Sequence, residues 1–246
     1  MSSPAWAPIS YRNPPRPRPR RVARRVLSIR PKVSASARPQ SVGEELANTI
    51  SHGMALLAAV VGLPPLVLHA AREGTVISVL GATVFGLTAV LVFFASTMYH
   101  ALPEGRVKER FLSLDYTAIF LLIAGTYTPF TLGPLWGPWG LGLLVAVWAL
   151  ATVGVGMTLT RGKPQPKMML ILCLTMGWIG MIAVGPAVSQ MPRECIFWIV
   201  AGGLFYTAGV AFWLLSNYVQ YTHFVWHIFV IVGAALHYHA VMWHVV

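Results

Sequence analysis

Charged residues are scarce in this sequence. Asp, Glu, Lys and Arg make up 10% of its 246 residues, whereas a soluble globular domain has about 25%. Hydrophobic residues make up 56%, and the mean hydropathy is +0.66. Outside residues 1–43 no polar stretch is long enough to fold by itself. The shortage of charge excludes a soluble globular protein and predicts an integral membrane protein.

Polar interruptions are short, and seven apolar stretches remain that are long enough to cross a membrane. A hydrocarbon layer of about 30 Å requires about 20 residues in a helix. The stretches are 47–70, 75–98, 111–131, 138–160, 168–188, 195–215 and 221–243. Backbone groups inside a bilayer must bond within the protein, so these stretches form helices. The sequence therefore predicts an all-α membrane protein, a seven-transmembrane helix bundle over residues 44–246.

Acidic residues are absent from residues 1–43, which hold ten Lys or Arg and several prolines. Such a segment cannot bury a core, so we predict a disordered Arg/Pro-rich tail. Three interpretations of it stay open: an organellar targeting leader, a cytoplasmic tail near anionic lipid, or residues upstream of the true start codon. The segment lacks the apolar stretch of a secretory signal peptide before Leu46. The net charge of +11 is concentrated in this tail and in loops, so no nucleic-acid partner is expected.

Cysteine is nearly absent, with two residues in the chain. Cys173 lies inside the fifth span and Cys195 at the start of the sixth, on opposite halves of the predicted bilayer. A disulfide between them is not expected, because its geometry requires close Cα atoms. The redox compartment stays open.

Positive charge in the short loops predicts the orientation. The tail and the loops after spans two and four hold sixteen Lys or Arg, and the alternate loops hold two. This asymmetry places the N-terminus in the cytoplasm and the C-terminus outside.

Polar side chains within the spans are few, and most share one depth near the predicted cytoplasmic end. They are Glu45, Asn48 and His52 of span one, Ser96 and His100 of span two, Asp115 of span three, and His223 and His227 of span seven. His237 and His239 come ten or more residues after His227, about 15 Å further along the helix axis. We therefore assign them to the outer half, apart from this cluster.

The clustered histidines predict a metal centre. His223 and His227 are four residues apart, so they lie on one face of a helix. Polar groups at membrane depth are costly and usually functional. Three imidazoles with an open fourth position suit a catalytic zinc ion. Asp115 and Ser96 are candidates to hold the water on that ion.

Each residue also has an interpretation without metal. His100 is compatible with a hydrogen bond to a loop carbonyl, and Ser96 with a bond to a carbonyl of its own helix. Asp115 is compatible with pairing to Arg110 or with capping its helix. His52 is compatible with a hydrogen bond between helices. The shared depth of these residues favours the metal.

Spans four to six contain no acid or histidine in their interiors, and their glycines indicate close packing of helices. These glycines are Gly154, Gly156, Gly177, Gly180, Gly202 and Gly203. In span one, Pro64 and Pro65 predict a kink.

Motifs within residues 44–243 resemble those of the hemolysin III family, the bacterial branch of the progestin and adipoQ receptor superfamily, in a wider superfamily that includes alkaline ceramidases. The motifs are Glu45-x-x-Asn48-x-x-Ser51-His52, Ser96-Thr97-Met98-Tyr99-His100, Leu114-Asp115-Tyr116 followed by Ala124-Gly125-Thr126-Tyr127-Thr128-Pro129-Phe130, and His223-x-x-x-His227. Many bacterial members have His at the position of Tyr116, where the animal receptors have Tyr.

The resemblance implies a ligand set and a location. The zinc ligands would be His100, His223 and His227, with Ser96 and Asp115 at the metal-bound water. Glu45, Asn48 and His52 match the first family motif, to which the resemblance gives no settled role. The expected location is the bacterial cell (inner) membrane.

We expect a zinc-dependent hydrolase of a lipid amide or ester, similar to a ceramidase, with a membrane lipid as substrate or ligand. The alternative is a non-catalytic zinc protein for membrane homeostasis or sensing. An opening from the metal to a substrate-sized cavity would separate the two.

Cytolysis, which the family name suggests, is disfavoured because pore-formers are usually released as soluble chains. The lipid and the oligomeric state are not predicted.

Overall fold

The computed structural model describes residues 38–160 and 165–245, and within these ranges the chain forms helices and no strand. The α-helices are α1 Val42–Glu73, α2 Val76–Ala101, α3 Arg106–Leu132, α4 Pro138–Thr160, α5 Pro166–Trp178, α6 Val184–Gln190, α7 Arg193–Leu215 and α8 Thr222–His244. A short 3-10 helix, Ile179–Ala183, connects α5 to α6. The all-α prediction is confirmed.

Within the described residues, seven segments are long and apolar enough to cross a membrane, in agreement with the sequence. Six are single helices, and the other, Pro166–Gln190, comprises α5, the 3-10 helix and α6. The chain is therefore an integral, multi-pass membrane protein. Most of the predicted tail lies outside the described residues, as do Arg161 and Lys163, two of the loop charges that predict the orientation.

The helices pack in chain order and return to their start. α2 packs between α1 and α3, α4 packs on α3, and α5 contacts α3, α4 and α7. α8 packs on both α7 and α1, which closes the ring. Closure brings the start of α8 beside the start of α1 and the end of α2. Cys173 and Cys195, both within the described ranges, are free.

A capping box fixes the start of α1. The Glu44 N–H donates to Ser41 Oγ at 3.3 Å, and the Ser41 N–H donates to Glu44 Oε2 at 2.9 Å. This arrangement satisfies two backbone donors that a helix start leaves open. The helix then continues past Pro64 and Pro65 to Glu73. The polar residues of its first turns are thereby held at a defined height in the bundle.

The fifth span differs from the continuous helix that the apolar stretch 168–188 suggests. Its α-helix ends at Trp178 and resumes at Val184. The Tyr127 hydroxyl donates to the Gly177 carbonyl at 3.0 Å and accepts from the Gly180 N–H at 3.1 Å. Pro186 has no N–H to donate to the preceding turn. A side chain of α3 thus supplies partners for the backbone where the helix is interrupted.

The glycines of spans four to six have two different environments. A Cβ at Gly154 would lie 2.7 Å from the Phe120 ring, and one at Gly202 would lie 2.4 Å from His237 Nε2. The predicted close packing of helices is therefore confirmed at these two glycines, and also at Gly180, which lies beside Tyr127. The same prediction is wrong for three other glycines, where a Cβ would meet no described atom within 4 Å. These are Gly156, Gly177 and Gly203.

Candidate metal centre

Three histidines converge where the end of α2 meets the start of α8. One ring nitrogen from each of His100, His223 and His227 lies within 4.8 Å of the other two. Ring centroids are 5.2 Å apart for His100 and His223, 5.0 Å for His100 and His227, and 4.8 Å for the α8 pair. Imidazole nitrogens bind zinc at about 2.0–2.1 Å. A modest inward movement of the rings would therefore bring all three nitrogens onto one ion.

Two of these rings present nitrogens that suit a metal. Nε2 of His100 and Nε2 of His227 are buried and have no hydrogen-bond partner within residues 38–160 and 165–245. His227 is 0% exposed and His100 is 4% exposed. A buried polar atom without a partner costs about 1–3 kcal/mol. A divalent cation would supply the missing partner for both atoms, so the donor set fits zinc.

A carboxylate orients the His100 ring. Glu45 Oε2 lies 2.6 Å from His100 Nδ1, and Glu45 Oε1 accepts from Lys108 Nζ at 2.8 Å. The Lys108 ammonium also donates to the Leu102 carbonyl at 3.2 Å. Because the carboxylate accepts from Nδ1–H, the His100 lone pair lies on Nε2, the nitrogen without a partner among the described residues. Such carboxylate–histidine pairs are common behind metal ligands.

A hydroxyl on α1 does the same for His227. Ser51 Oγ donates to the Asn48 carbonyl at 3.0 Å and lies 3.3 Å from His227 Nδ1. Since its proton is directed to the carbonyl, the hydroxyl accepts from Nδ1–H and leaves the lone pair on Nε2. The Asn48 side chain contacts His100 Nδ1 at 3.5 Å and donates to Gln40 Oε1 at 2.6 Å. The first motif therefore supports the histidines from behind.

The start of α8 is anchored to α1. Tyr221 has a φ of 60°, the one non-glycine residue in the described ranges with positive φ. Its N–H donates to Glu44 Oε1 at 2.9 Å, and Glu44 also pairs with Arg38. A bulky residue in this conformation is uncommon and needs such support. The contact fixes where α8 begins, at Thr222, one residue before His223.

His52 lies beside the group of three and not within it. Its ring stacks on the His227 ring with centroids 3.5 Å apart and an interplanar angle of 11°. On another side it meets the edge of Phe93 at 5.3 Å. Neither of its ring nitrogens has a hydrogen-bond partner among the residues that the structure describes. The His52 ring does interact with the backbone of His227, so a polar contact between α1 and α8, as considered for His52, is present.

Asp115 and Ser96 form a pair separate from these histidines. Both are buried, and the Ser96 side chain interacts with the Asp115 carboxyl from the neighbouring helix. α3 begins at Arg106, so Asp115 does not cap it. In the described part of the chain Asp115 forms no ion pair with Arg110, which is exposed. The carboxyl instead faces a cavity.

This cavity has a volume of about 160 Å³ and lies among α3, α5, α7 and α8. Its lining includes Asp115, His52 and Trp226, and most of its other walls are apolar. The Trp226 ring is 4.9 Å from His223 and 5.3 Å from His227. His52, which also lines the cavity, stacks on His227. The cavity wall therefore contacts His223 and His227 through these two side chains, and the three histidines are not themselves part of the lining. Gly177 and Gly203 also line the cavity, which explains why they meet no neighbouring atom.

The outer histidines of α8 lie elsewhere. His237 Nε2 donates to the Ile199 carbonyl at 3.1 Å, and the His239 ring packs on Trp198 at 4.6 Å. Within the described ranges the metal-compatible group contains His100, His223 and His227 and no other residue. In the sequence, Ser51 stands out only as part of a motif, and Lys108 only as a loop charge. Both belong to the support of the centre.

The chain has clear relatives. A family model described as "Haemolysin-III related" matches residues 40–238. Hemolysin-3 of Bacillus cereus is 35% identical over 206 residues, covering 84% of this chain and 94% of the relative. The Hemolysin-3 homolog of Bacillus subtilis (strain 168) is 34% identical, covering 84% of this chain and 96% of the relative. Monocyte to macrophage differentiation factor of Homo sapiens is 26% identical over 203 residues, covering 80% and 83%. No solved structure matches the chain significantly.

Proposed function

The chain belongs to the haemolysin-III-related family, and we propose that it is a zinc-dependent hydrolase of an amide or ester bond in a membrane lipid. One observation carries the proposal. Three histidines have two unpartnered, buried Nε2 atoms among the described residues, and two of the three, His223 and His227, contact Trp226 of an apolar cavity that Asp115 also lines. The histidines fit a metal, the cavity fits an acyl chain, and the carboxyl fits proton transfer. Membrane proteins that only pack their helices need none of the three together.

The chemistry divides among the residues as follows. His100, His223 and His227 would hold the zinc ion, which when bound would supply a Lewis acid and an activated water. Glu45 and Ser51 hold the His100 and His227 rings by their Nδ1 atoms. Asp115, beside Ser96, accepts the proton of the attacking water and returns it to the leaving amine or alcohol. Water adds to the carbonyl carbon, and the carbon–nitrogen or carbon–oxygen bond breaks.

A non-catalytic zinc protein for membrane homeostasis or sensing is the second candidate. One observation favours it: His52 and Trp226 line the cavity between its apolar part and the three histidines. In a hydrolase these side chains must let the lipid carbonyl reach the metal. In a structural centre they would keep lipid away while zinc joins α2 to α8.

Cytolysis is the third candidate, taken from the name of the Bacillus cereus relative. Seven spans bind the chain firmly to a bilayer, which fits poorly with release and insertion into a target cell. We expect the protein to stay in the pellet when cell membranes are washed with carbonate. We also expect that membrane to be the bacterial cell (inner) membrane.

Lipid analysis of cells tests the proposed hydrolysis. Cells that produce the wild-type protein should lose one lipid amide or ester and gain its acid and its amine or alcohol. His227→Ala should abolish this change. His239→Ala, on the same helix but packed on Trp198, is the matched control and should retain it. If the lipid composition is the same in cells with the wild type, with His227→Ala and with His239→Ala, and the wild-type protein carries zinc, hydrolysis is rejected and the non-catalytic role remains.

A further inference from the structure

The cavity has polar groups at a second position, away from the metal centre. Tyr206 and His237 both line it, and their ring centroids are 5.4 Å apart. The Tyr206 hydroxyl and His237 Nδ1 are buried and lack a hydrogen-bond partner in the part of the chain that the structure describes. Two such atoms in one wall, each costing about 1–3 kcal/mol, indicate a place where a polar group of a ligand binds.

Other hydroxyls of the cavity wall are already engaged. Thr126 donates to the Leu122 carbonyl at 2.8 Å, and Thr207 donates to the Gly203 carbonyl at 2.8 Å. Tyr127 is bound to the backbone of the fifth span. Tyr206 and His237 thus differ from these three side chains in having hydrogen-bonding capacity that no described residue takes up, and they lie side by side.

The backbone makes room for this pair. A Cβ at Gly202 would lie 2.4 Å from His237 Nε2, and a Cβ at Gly233 would lie 2.9 Å from the Tyr206 ring. Glycine on α7 lets the imidazole approach the Ile199 carbonyl, and glycine on α8 lets the phenol lie across the helix. The pair is therefore built into both helices.

The hydrogen bond of His237 fixes what the pair can bind. Nε2 faces the Ile199 carbonyl at 3.1 Å, and a carbonyl only accepts, so Nε2 carries the proton. Nδ1 is then an acceptor. The Tyr206 hydroxyl can donate. A hydroxyl group matches both, since it donates to Nδ1 and accepts from the phenol. A carboxylate has no proton to give to Nδ1, and its buried charge would have the Tyr206 hydroxyl as donor but no cationic partner at the pair.

We propose that Tyr206 and His237 form an outer subsite that binds the hydroxyl of a neutral, hydroxylated acyl chain whose amide or ester lies at the metal centre. His227 and His237 are ten residues apart on α8, about 15 Å along the axis. Apolar residues such as Val230 and Val210 line the wall between the two ends. The position of the amide or ester rests on the proposed function; the outer subsite does not depend on catalysis.

Binding of two matched probes tests this subsite. They are the N-methyl amides of lauric acid and of ω-hydroxylauric acid, which differ in one terminal hydroxyl. Trp178, Trp213 and Trp226 line the cavity, so quenching of tryptophan fluorescence in detergent-solubilised full-length protein reports occupancy. The wild type should bind the hydroxylated probe about tenfold more tightly, the size expected for one well-formed buried hydrogen bond.

Two variants decide where that preference originates. Tyr206→Phe removes a hydroxyl without a partner among the described residues, so it should keep the melting temperature and lose most of the preference. Thr126→Val removes a hydroxyl already bonded to its own helix and should keep the preference. The proposal is overturned if the wild type binds both probes equally, or if Tyr206→Phe retains the tenfold difference.

A metal-free variant separates this subsite from the proposed function. His223→Ala should lose hydrolysis and still prefer the hydroxylated probe. If the wild type cleaves the lauric amide but binds the hydroxylated probe no more tightly, the outer subsite alone is rejected. A wild type that prefers the hydroxylated probe and cleaves neither would reject the hydrolase alone.

Discussion

The metal-centre histidines are oriented by residues of α1 as much as by their own helices. Glu45 holds Nδ1 of His100, and Ser51 holds Nδ1 of His227. Each contact directs the opposite ring nitrogen towards the shared centre. The first motif thereby acquires a structural role: it sets the direction of the lone pairs that a metal would use.

This role predicts the effect of Glu45→Gln. The amide keeps the shape of the side chain but removes the charge that His100 and Lys108 share. Zinc affinity should fall about 10- to 100-fold, the usual loss when a partner behind a ligand is changed. Competition with a chromophoric chelator measures it. Glu104→Gln is the control. Glu104 is an exposed carboxylate that pairs with the same Lys108, so its substitution should leave the zinc affinity unchanged. Equal affinity in both variants would contradict the role of Glu45.

At the residue scale, the sequence indicates which polar residues share a depth but not how they pair. Helical spacing predicts that His223 and His227 share one face, and the position of His100 at the end of a span predicts that it lies at the same depth. Lys108 could not be found this way, because its bond to Glu45 joins the first turn of α3 to α1, a contact between helices that no local pattern contains. The stacking of His52 on His227 depends on the ring closure of α1 and α8, which no local pattern contains.

Among the helices, the interruption of the fifth span has the clearest cause. Tyr127 of α3 bonds both the Gly177 carbonyl and the Gly180 N–H, while Gly177 and Gly203 leave space for the cavity. An apolar stretch of the right length predicts a span, and the span is present. The stretch could not predict the interruption, since its partner is a side chain about 50 residues away.

Tyr127→Phe should therefore destabilise the bundle. It removes the partner of one backbone carbonyl and one backbone N–H inside the membrane, at a cost of about 1–3 kcal/mol. The melting temperature of detergent-solubilised protein should drop. Tyr218→Phe, at a residue that is 76% exposed, should not change it. A melting temperature of Tyr127→Phe equal to that of the wild type would show that the hydroxyl does not stabilise the interruption.

For the whole molecule, the closed ring explains how residues distant in sequence reach one centre. α8 packs on α1, so His223 and His227 meet His100 across more than 120 intervening residues. The number of spans and their approximate ends follow from apolar length alone. The order in which seven helices pack does not, because any of them can bury an apolar face against any other.

The orientation of the whole molecule remains a prediction from loop charge. Sixteen Lys or Arg on one side and two on the other place the N-terminus in the cytoplasm and Val246 outside. A reporter that matures only outside the cytoplasm, fused after Val246, should be active, and a reporter that works only in the cytoplasm should be silent there. The reverse pattern would invert the bundle and put the metal centre at the outer face.

Zinc content and thermal stability, measured together on one purified preparation, test the central claim most directly. We expect one zinc per chain in the wild type and in His239→Ala, and none in His227→Ala. A chelator should lower the melting temperature of the two zinc-loaded proteins and leave that of His227→Ala unchanged. The reason is that zinc bound only to the folded state stabilises it. The stabilisation is about 4 kcal/mol when the free zinc concentration is about 1,000 times the dissociation constant. A wild type purified without stoichiometric metal, and indifferent to added zinc and to chelator, would contradict both the centre and the hydrolase built on it.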